Sequence, residues 1–173
     1  MSEISTVIRE DSVYKRSKKR LNSIMENIDI KMLTNELFSL HNSRVAATLK
    51  TQVIIRDSVQ EITGSTVDEI ATRSRCTTIK MTALKSLLDI EEITRHLSKY
   101  ILSKYAKQLK ANGDTTITAQ KATVDVYLRL FIESKNQLEG LMKLVDLVLD
   151  DVDQTSYGLS RIEKVLELAS KDR

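Results

Sequence analysis

The chain has 173 residues, 27 basic and 24 acidic, with four Gly, no Pro, no Trp and two Phe. Such poverty in chain breakers and aromatics argues against a β-rich fold and for an all-α one, in a chain sized for one ordinary domain or a small domain with an extended helical part. The single Cys76 excludes an intramolecular disulfide framework and fits a reducing cytoplasm. No apolar run approaches the ~20 residues that span a bilayer, and the first residues lack the apolar core of a signal peptide, so the expectation is a cytoplasmic protein without membrane contact.

Charge is unevenly placed. Residues 1–110 carry 19 basic and 13 acidic side chains, whereas 111–173 carry 8 and 11. The two parts therefore face different partners, and an acidic polymer suits the first, because Lys and Arg contacts to phosphate dominate nucleic-acid affinity. The basic excess peaks at Lys15-Arg16-Ser17-Lys18-Lys19-Arg20. Like charges so close repel and stay solvated, which predicts a partly disordered basic arm over 1–27. Its functional reading is a grip on phosphates; the plain one is a solubilising segment.

A helical domain is expected over 28–88. An amphipathic helix runs from Ile28 to about His41, with Met32, Leu33, Leu37 and Leu40 inward, and Asn42 and Ser43 supply a turn. A second helix follows from Arg44 to Ile62 with Val45, Leu49, Val53 and Ile54 inward, closed by Gly64 within Thr63-Gly64-Ser65. Thr66 with Glu69 then reads as a capping box. Ile70-Ala71, a break at Ser74-Arg75-Cys76 and a new cap at Thr77 form a candidate helix-turn-helix, with Met81 and Leu84 anchoring its second helix. It departs from the DNA-binding pattern at Arg75, where Gly is usual because the turn needs positive φ. On this reading Thr78, Lys80 and Thr82, with Arg73 and Arg75 beside them, face DNA. The competing reading is one unbroken amphipathic helix from Thr66 to Leu88 with those residues solvated.

Residues 89–153 are expected to form a long antiparallel hairpin. Its first helix carries Leu87, Ile90, Ile93, Leu97, Ile101, Tyr105 and Leu109 at steps of three and four. Asn112-Gly113-Asp114 is a turn, and Thr115 to Thr118 offer caps to the returning helix. That helix bears the most regular pattern in the chain: Val124, Tyr127, Phe131, Ser134, Leu138, Leu141, Val145, Val148 and Val152. From Leu141 to Leu149 only Lys143 and Asp146 are polar. A helix apolar over most of its girth needs cover on several sides, so neighbouring subunits are expected to meet at Tyr127, Phe131, Leu138, Leu141, Val145 and Val148. The tail, 154–173, is expected as a loop at Thr155–Gly158 and a short docking helix, Ser160 to Ala169, with Ile162, Val165, Leu166 and Ala169 inward.

Catalytic patterns are missing. The four Gly stand apart, at 64, 113, 140 and 158, and make no phosphate loop. His41 and His96 lack metal-ligand spacing, Cys76 with His96 lacks a third group to orient a base, and Asp150, Asp151 and Asp153 read as a solvated acidic segment. No enzyme, cofactor or metal is expected.

A basic arm, a candidate helix-turn-helix, a helical hairpin that needs neighbours and an acidic tail together resemble the small terminase subunit of tailed bacteriophages. The likeness is best from Leu87 to Asp153, including Val124-Asp125-Val126-Tyr127-Leu128, the polar Asn136-Gln137 midway, and Leu141-Met142-Lys143-Leu144. It implies a non-enzymatic homo-oligomeric ring in the host cytoplasm that binds double-stranded viral DNA and regulates the large terminase subunit, which the C-terminal tail would contact. Lys15, Arg16, Lys18, Lys19 and Arg20, with Arg73, Arg75, Thr78, Lys80 and Lys85, would then contact DNA. Two other readings stay open: a dimeric helix-turn-helix transcriptional regulator, and a helical structural adaptor that binds no DNA.

Overall fold

The fold is all-α, with no strand among the described residues. The computed structural model describes the backbone of residues 3–54 and 59–171, and side chains over 4–44, 67–164 and at Leu168. Among the described residues seven helices follow one another: α1 (Glu3–Glu10), α2 (Ser12–Glu26), α3 (Ile30–Ile54), α4 (Val59–Lys104), α5 (Ala106–Ala111), α6 (Ile117–Tyr127) and α7 (Arg129–Lys171). They make two compact units that are not consecutive in sequence: Met1–Asp29 with Ala83–Gly140, and Ile30–Thr82 with Leu141–Arg173.

In the first unit, α4 residues Ala83, Leu87, Ile90, Ile93, Leu97 and Ile101 are buried, as are Tyr105 and Leu109 beyond them. Facing elements bury Val124, Tyr127, Leu128, Phe131, Ser134 and Leu138. Residues 3–26, expected as an arm, are helical and packed: Ile4, Ile8, Tyr14 and Leu21 are buried. The Tyr14 ring meets Phe131 edge to face, with centroids 6.0 Å apart and planes at 75°, and its hydroxyl donates to the Tyr127 carbonyl at 3.2 Å. Lys104 bonds Asp11 while Arg20 lies 3.6 Å from Asp89. Numbers rise along α2 as they fall along α4, so the two helices run antiparallel.

The turn after α5 is built as its sequence predicts. The Asp114 N–H reaches the Leu109 carbonyl at 3.2 Å and the Gly113 N–H reaches that of Lys110 at 3.1 Å. This pair of bonds is the Schellman closure, and it requires a left-handed residue, which Gly113 supplies with φ +98°. Thr116 then caps α6 by accepting from the Ala119 N–H at 3.1 Å.

The second unit packs α3, residues 59–82 of α4 and residues 141–171 of α7. Leu37, Cys76, Ile79, Leu141, Val145, Val148, Val152 and Leu159 form its buried apolar positions. Polar contacts tie each helix to the other two: ion pairs join Arg75 to Glu36, Arg73 to Asp153 at 2.7 Å and Lys80 to Asp146 at 2.6 Å, and a hydrogen bond joins His41 Nδ1 to Asp151 Oδ2 at 2.7 Å. Two helical turns along α4, from Arg73 to Lys80, match two turns back along α7, so these helices are antiparallel. Arg44 and Glu69 make a buried pair between α3 and α4. The Arg44 Nε and Nη1 groups have no hydrogen-bond partner among the described residues.

Four expected breaks are absent. Helix α3 continues through Asn42 and Ser43, where the Ser43 hydroxyl donates to the Leu40 carbonyl at 2.8 Å. Helix α4 continues through Gly64 and through Ser74-Arg75-Cys76, and α7 continues through Thr155–Gly158 to Lys171. At Ser74-Arg75-Cys76 and Thr155–Gly158 the cause is visible in the hydroxyls. Thr72, Thr77, Thr78 and Thr155 each donate to the carbonyl four residues back, at 2.8–3.0 Å. A hydroxyl engaged in this way occupies a helix interior instead of capping a helix start. The inward assignments of Val45, Leu49, Val53, Ile54, Val165, Leu166 and Ala169, and the cap at Thr66, lie outside the described side chains.

Candidate nucleic-acid interface

The basic stretch Lys15–Arg20 forms the middle of α2. Asp11 starts this helix: its Oδ1 accepts from the Val13 N–H at 2.7 Å, the bond of an N-cap. Tyr14 and Leu21, two turns apart, turn inward and fix which way the helix faces. Lys15, Arg16, Lys18, Lys19 and Arg20 are in consequence all exposed. Glu26 is the only acidic residue of α2. Lys15 pairs with Glu10 and Arg20 lies near Asp89, but Arg16, Lys18 and Lys19 pair with no acidic group among the described residues. A helical face with that many uncompensated cations is a ready site for an anionic polymer.

Behind the basic face lies a group of residues that no sequence pattern brought together, although Tyr105 belongs to the apolar stripe from Leu87 to Leu109. The Asp11 carboxylate, 3% exposed, accepts from Lys104 Nζ at 2.6 Å, Tyr105 Oη at 2.7 Å and Tyr100 Oη at 3.1 Å. Burial raises its pKa, but the bonds from Lys104, Tyr105, Val13 N–H and Tyr100 outweigh that and hold it well below the usual carboxylate range. The same bond, with the one that Lys104 donates to the Tyr100 hydroxyl, moves the Lys104 ammonium well above its ordinary value. The only sequence signal was an Asp directly before a helical stretch, because Lys104 lies 93 positions away.

The candidate helix-turn-helix is not formed. Helix α4 is unbroken across it, no residue other than Gly113 has positive φ among the described residues, and Arg75 has no turn to make. Its expected anchors Ile70 and Met81 are more than half exposed, and Leu84 is half-buried. The flanking cations are engaged: Arg75 holds Glu36 with two bonds of 2.6 and 2.8 Å, while Arg73 and Lys80 hold carboxylates of α7. The Thr78 hydroxyl is bonded to the Ser74 carbonyl at 3.0 Å. Lys85 is exposed and unpaired among the described residues, yet it stands apart from the α2 cluster in the sequence. The unbroken-helix reading is the one the structure supports.

The residues expected at a subunit interface are also reassigned. Tyr127, Phe131, Leu138, Leu141, Val145 and Val148 are all buried within the chain itself. The broad apolar face of α7 is thus covered by the chain's own helices, and the inference that other subunits must cover it loses its basis. Apolar surface does remain elsewhere, at Met32, Phe38, Ile70, Met81, Leu147, Tyr157 and Leu168.

Burial pushes the Cys76 thiol up, as for a small core residue. His96 faces Glu92 at 3.7 Å, and His41 bonds Asp151. No helix among the described residues is long and apolar enough to cross a membrane. No protein-family model, no curated protein and no solved structure matches the chain. The class defined by fold and surface is therefore an all-α protein that displays one densely basic helix.

Proposed function

We propose that this protein is a non-enzymatic double-stranded DNA-binding protein that grips phosphates through the outer face of α2. One observation carries the reading: Arg16, Lys18 and Lys19 are exposed and unpaired among the described residues, with Lys15 and Arg20 beside them on a helix whose sole acid is Glu26. A duplex is favoured over a single strand because Tyr14, the only aromatic of α2, is turned inward, leaving no ring on which bases could stack. Contacts of this kind read backbone charge and carry no base sequence.

Binding of a labelled short duplex, followed by anisotropy across a salt series, tests the proposal. Engagement of three to five phosphates gives a logarithmic salt slope of about −3 to −4.5. Absence of binding even at low salt would refute it and leave the helical adaptor without DNA. The dimeric regulator loses its reading head together with the helix-turn-helix.

The narrower proposal is that of a small terminase subunit: a ring that recognises phage DNA and regulates the large subunit through its tail during packaging. Its support is the order of a basic segment before long antiparallel helices, together with Tyr157 and Leu168 exposed near the end of α7. It requires head-to-tail contacts that close on themselves, made by surfaces other than the six buried α7 and α6 residues. Native mass spectrometry decides this point: a closed multimer supports the packaging role, and a monomer or dimer excludes it.

A further inference from the structure

A helix of α2's size, 15 residues, is marginal on its own in water. Five cations within six positions oppose it further by mutual repulsion. Its helical state therefore depends on docking, and the docking residues are few: Asp11 at the start, Tyr14 one turn in and Leu21 near the end. Leu21 is an apolar anchor that tolerates sliding and tilt, and Tyr14 adds an edge-to-face ring contact and a single hydroxyl bond, to the Tyr127 carbonyl. Asp11 is different, since it does two things with one carboxylate. Oδ1 caps α2 through the Val13 N–H, while Oδ2 gathers Lys104 Nζ, Tyr105 Oη and Tyr100 Oη from the end of α4 and the residue after it. Lys104 also donates to Tyr100 Oη at 2.8 Å, so the donors are held in place as a set. A directional network of this kind fixes both the register and the angle of the helix that it starts.

We infer that Asp11 is the positioning residue of the basic helix, a latch that holds α2 folded and aimed so that the Lys15–Arg20 face meets a polyanion already formed. Ordering is then complete before binding, and none of the phosphate-contact energy is lost to folding the helix. The latch itself stands on the bond network; its consequence for nucleic acid rests on the phosphate-gripping reading above.

The test uses the full chain with Asp11→Asn, which keeps the size of the side chain and its capping oxygen but removes the charge that gathers Lys104. Hydrogen exchange reads the latch without any ligand. Amides of residues 12–26 are expected to exchange about 10-fold faster or more, with those of 90–101 unchanged; unchanged protection of 12–26 would overturn the latch. Duplex anisotropy reads its consequence. Asp11→Asn is expected to weaken binding several-fold at fixed salt with the salt slope preserved, because the phosphate-contacting cations all remain. Arg16→Ala, in contrast, lowers the slope itself. Faster exchange with unaltered affinity would overturn the positioning role. If Asp11→Asn loses protection everywhere, Tyr105→Phe, which removes a single donor, is measured by the same criteria. A wild-type chain that binds no duplex would defeat the phosphate reading, and the exchange result would then decide the latch alone.

Discussion

Leu138→Ala separates a self-covered helix from one that needs a partner. Leu138 is fully buried in the first unit, in register with Phe131 one side and Leu141 the other along the same seam of α7. Removing three side-chain carbons from such a site loses their transfer energy and leaves a cavity, a combined cost of about 2–5 kcal/mol. In a chain of this size each kcal/mol lowers Tm by roughly 2–4 °C. A cost near the middle of that range predicts a fall of about 7–14 °C. The decisive feature is how the loss depends on concentration. If the seam is core, the fall is the same when melts are followed by circular dichroism at two protein concentrations about 50-fold apart, because an intramolecular equilibrium contains no concentration term. If subunits covered the seam, wild-type Tm would rise with concentration and the mutation would flatten that rise. A loss below ~1 kcal/mol, or a concentration-dependent one, would refute the assignment of Leu138 to the chain's own core.

Three further outcomes follow from the same geometry. Gly140 and Gly158 lie inside α7 with open space where a Cβ would be added, so Gly158→Ala should stabilise by about 0.5–1 kcal/mol in urea melts, whereas Gly113→Ala, at φ +98°, should destabilise. A loss of stability on Gly158→Ala would restore the loop expected there. For the buried pair, Arg44→Met alone leaves the Glu69 carboxylate uncompensated and should cost about 3–5 kcal/mol, while Arg44→Met with Glu69→Leu should be close to neutral or stabilising; equal effects of the single and double changes would contradict the pairing. Arg75 bonds Glu36 and, against the opposing effect of burial, lowers its pKa from the usual 4.5. Its contribution, at most ~1 kcal/mol at this exposure, is complete above that value and is lost as pH falls through the lower folded one. The stability gap between wild type and Arg75→Gln should accordingly shrink from about pH 7 to about pH 3, and a gap that widened on acidification would reverse the sign of the argument.

Periodicity was the most legible part of this sequence. All nine seam positions from Val124 to Val152 are buried, and so are all seven from Leu87 to Leu109, because steps of three and four on a helix leave only one way to hide apolar groups. The Asn112-Gly113 turn was legible for a related reason, since only Gly takes φ +98° without strain. Helix ends marked by hydroxyls were not. Thr77 and Thr155 have the residue type of a cap, but inside a helix the same hydroxyl bonds to the carbonyl four residues back, and the sequence does not say which bond is made. Reading breaks there divided α4 and α7 into pieces and produced the candidate helix-turn-helix. The inferred subunit interface failed for a different reason: periodicity reveals that a face is covered and not what covers it. Asp11 was illegible because its partners are close only after folding, whereas the basic cluster it positions was evident from composition alone.

The proposed grip of α2's outward cations on duplex phosphates is read in one side-by-side measurement: retention of a short duplex across a salt series by wild type, by Lys15→Ala/Arg16→Ala/Lys18→Ala/Lys19→Ala, and by Arg73→Ala/Lys80→Ala. The α2 variant should lose nearly all affinity and most of the salt slope, each phosphate contact being worth about 0.9 in that slope. The α4 variant, whose cations are already held by Asp153 and Asp146, should bind as wild type does. Undiminished binding by the α2 variant, or loss confined to the α4 variant, would contradict the proposed grip.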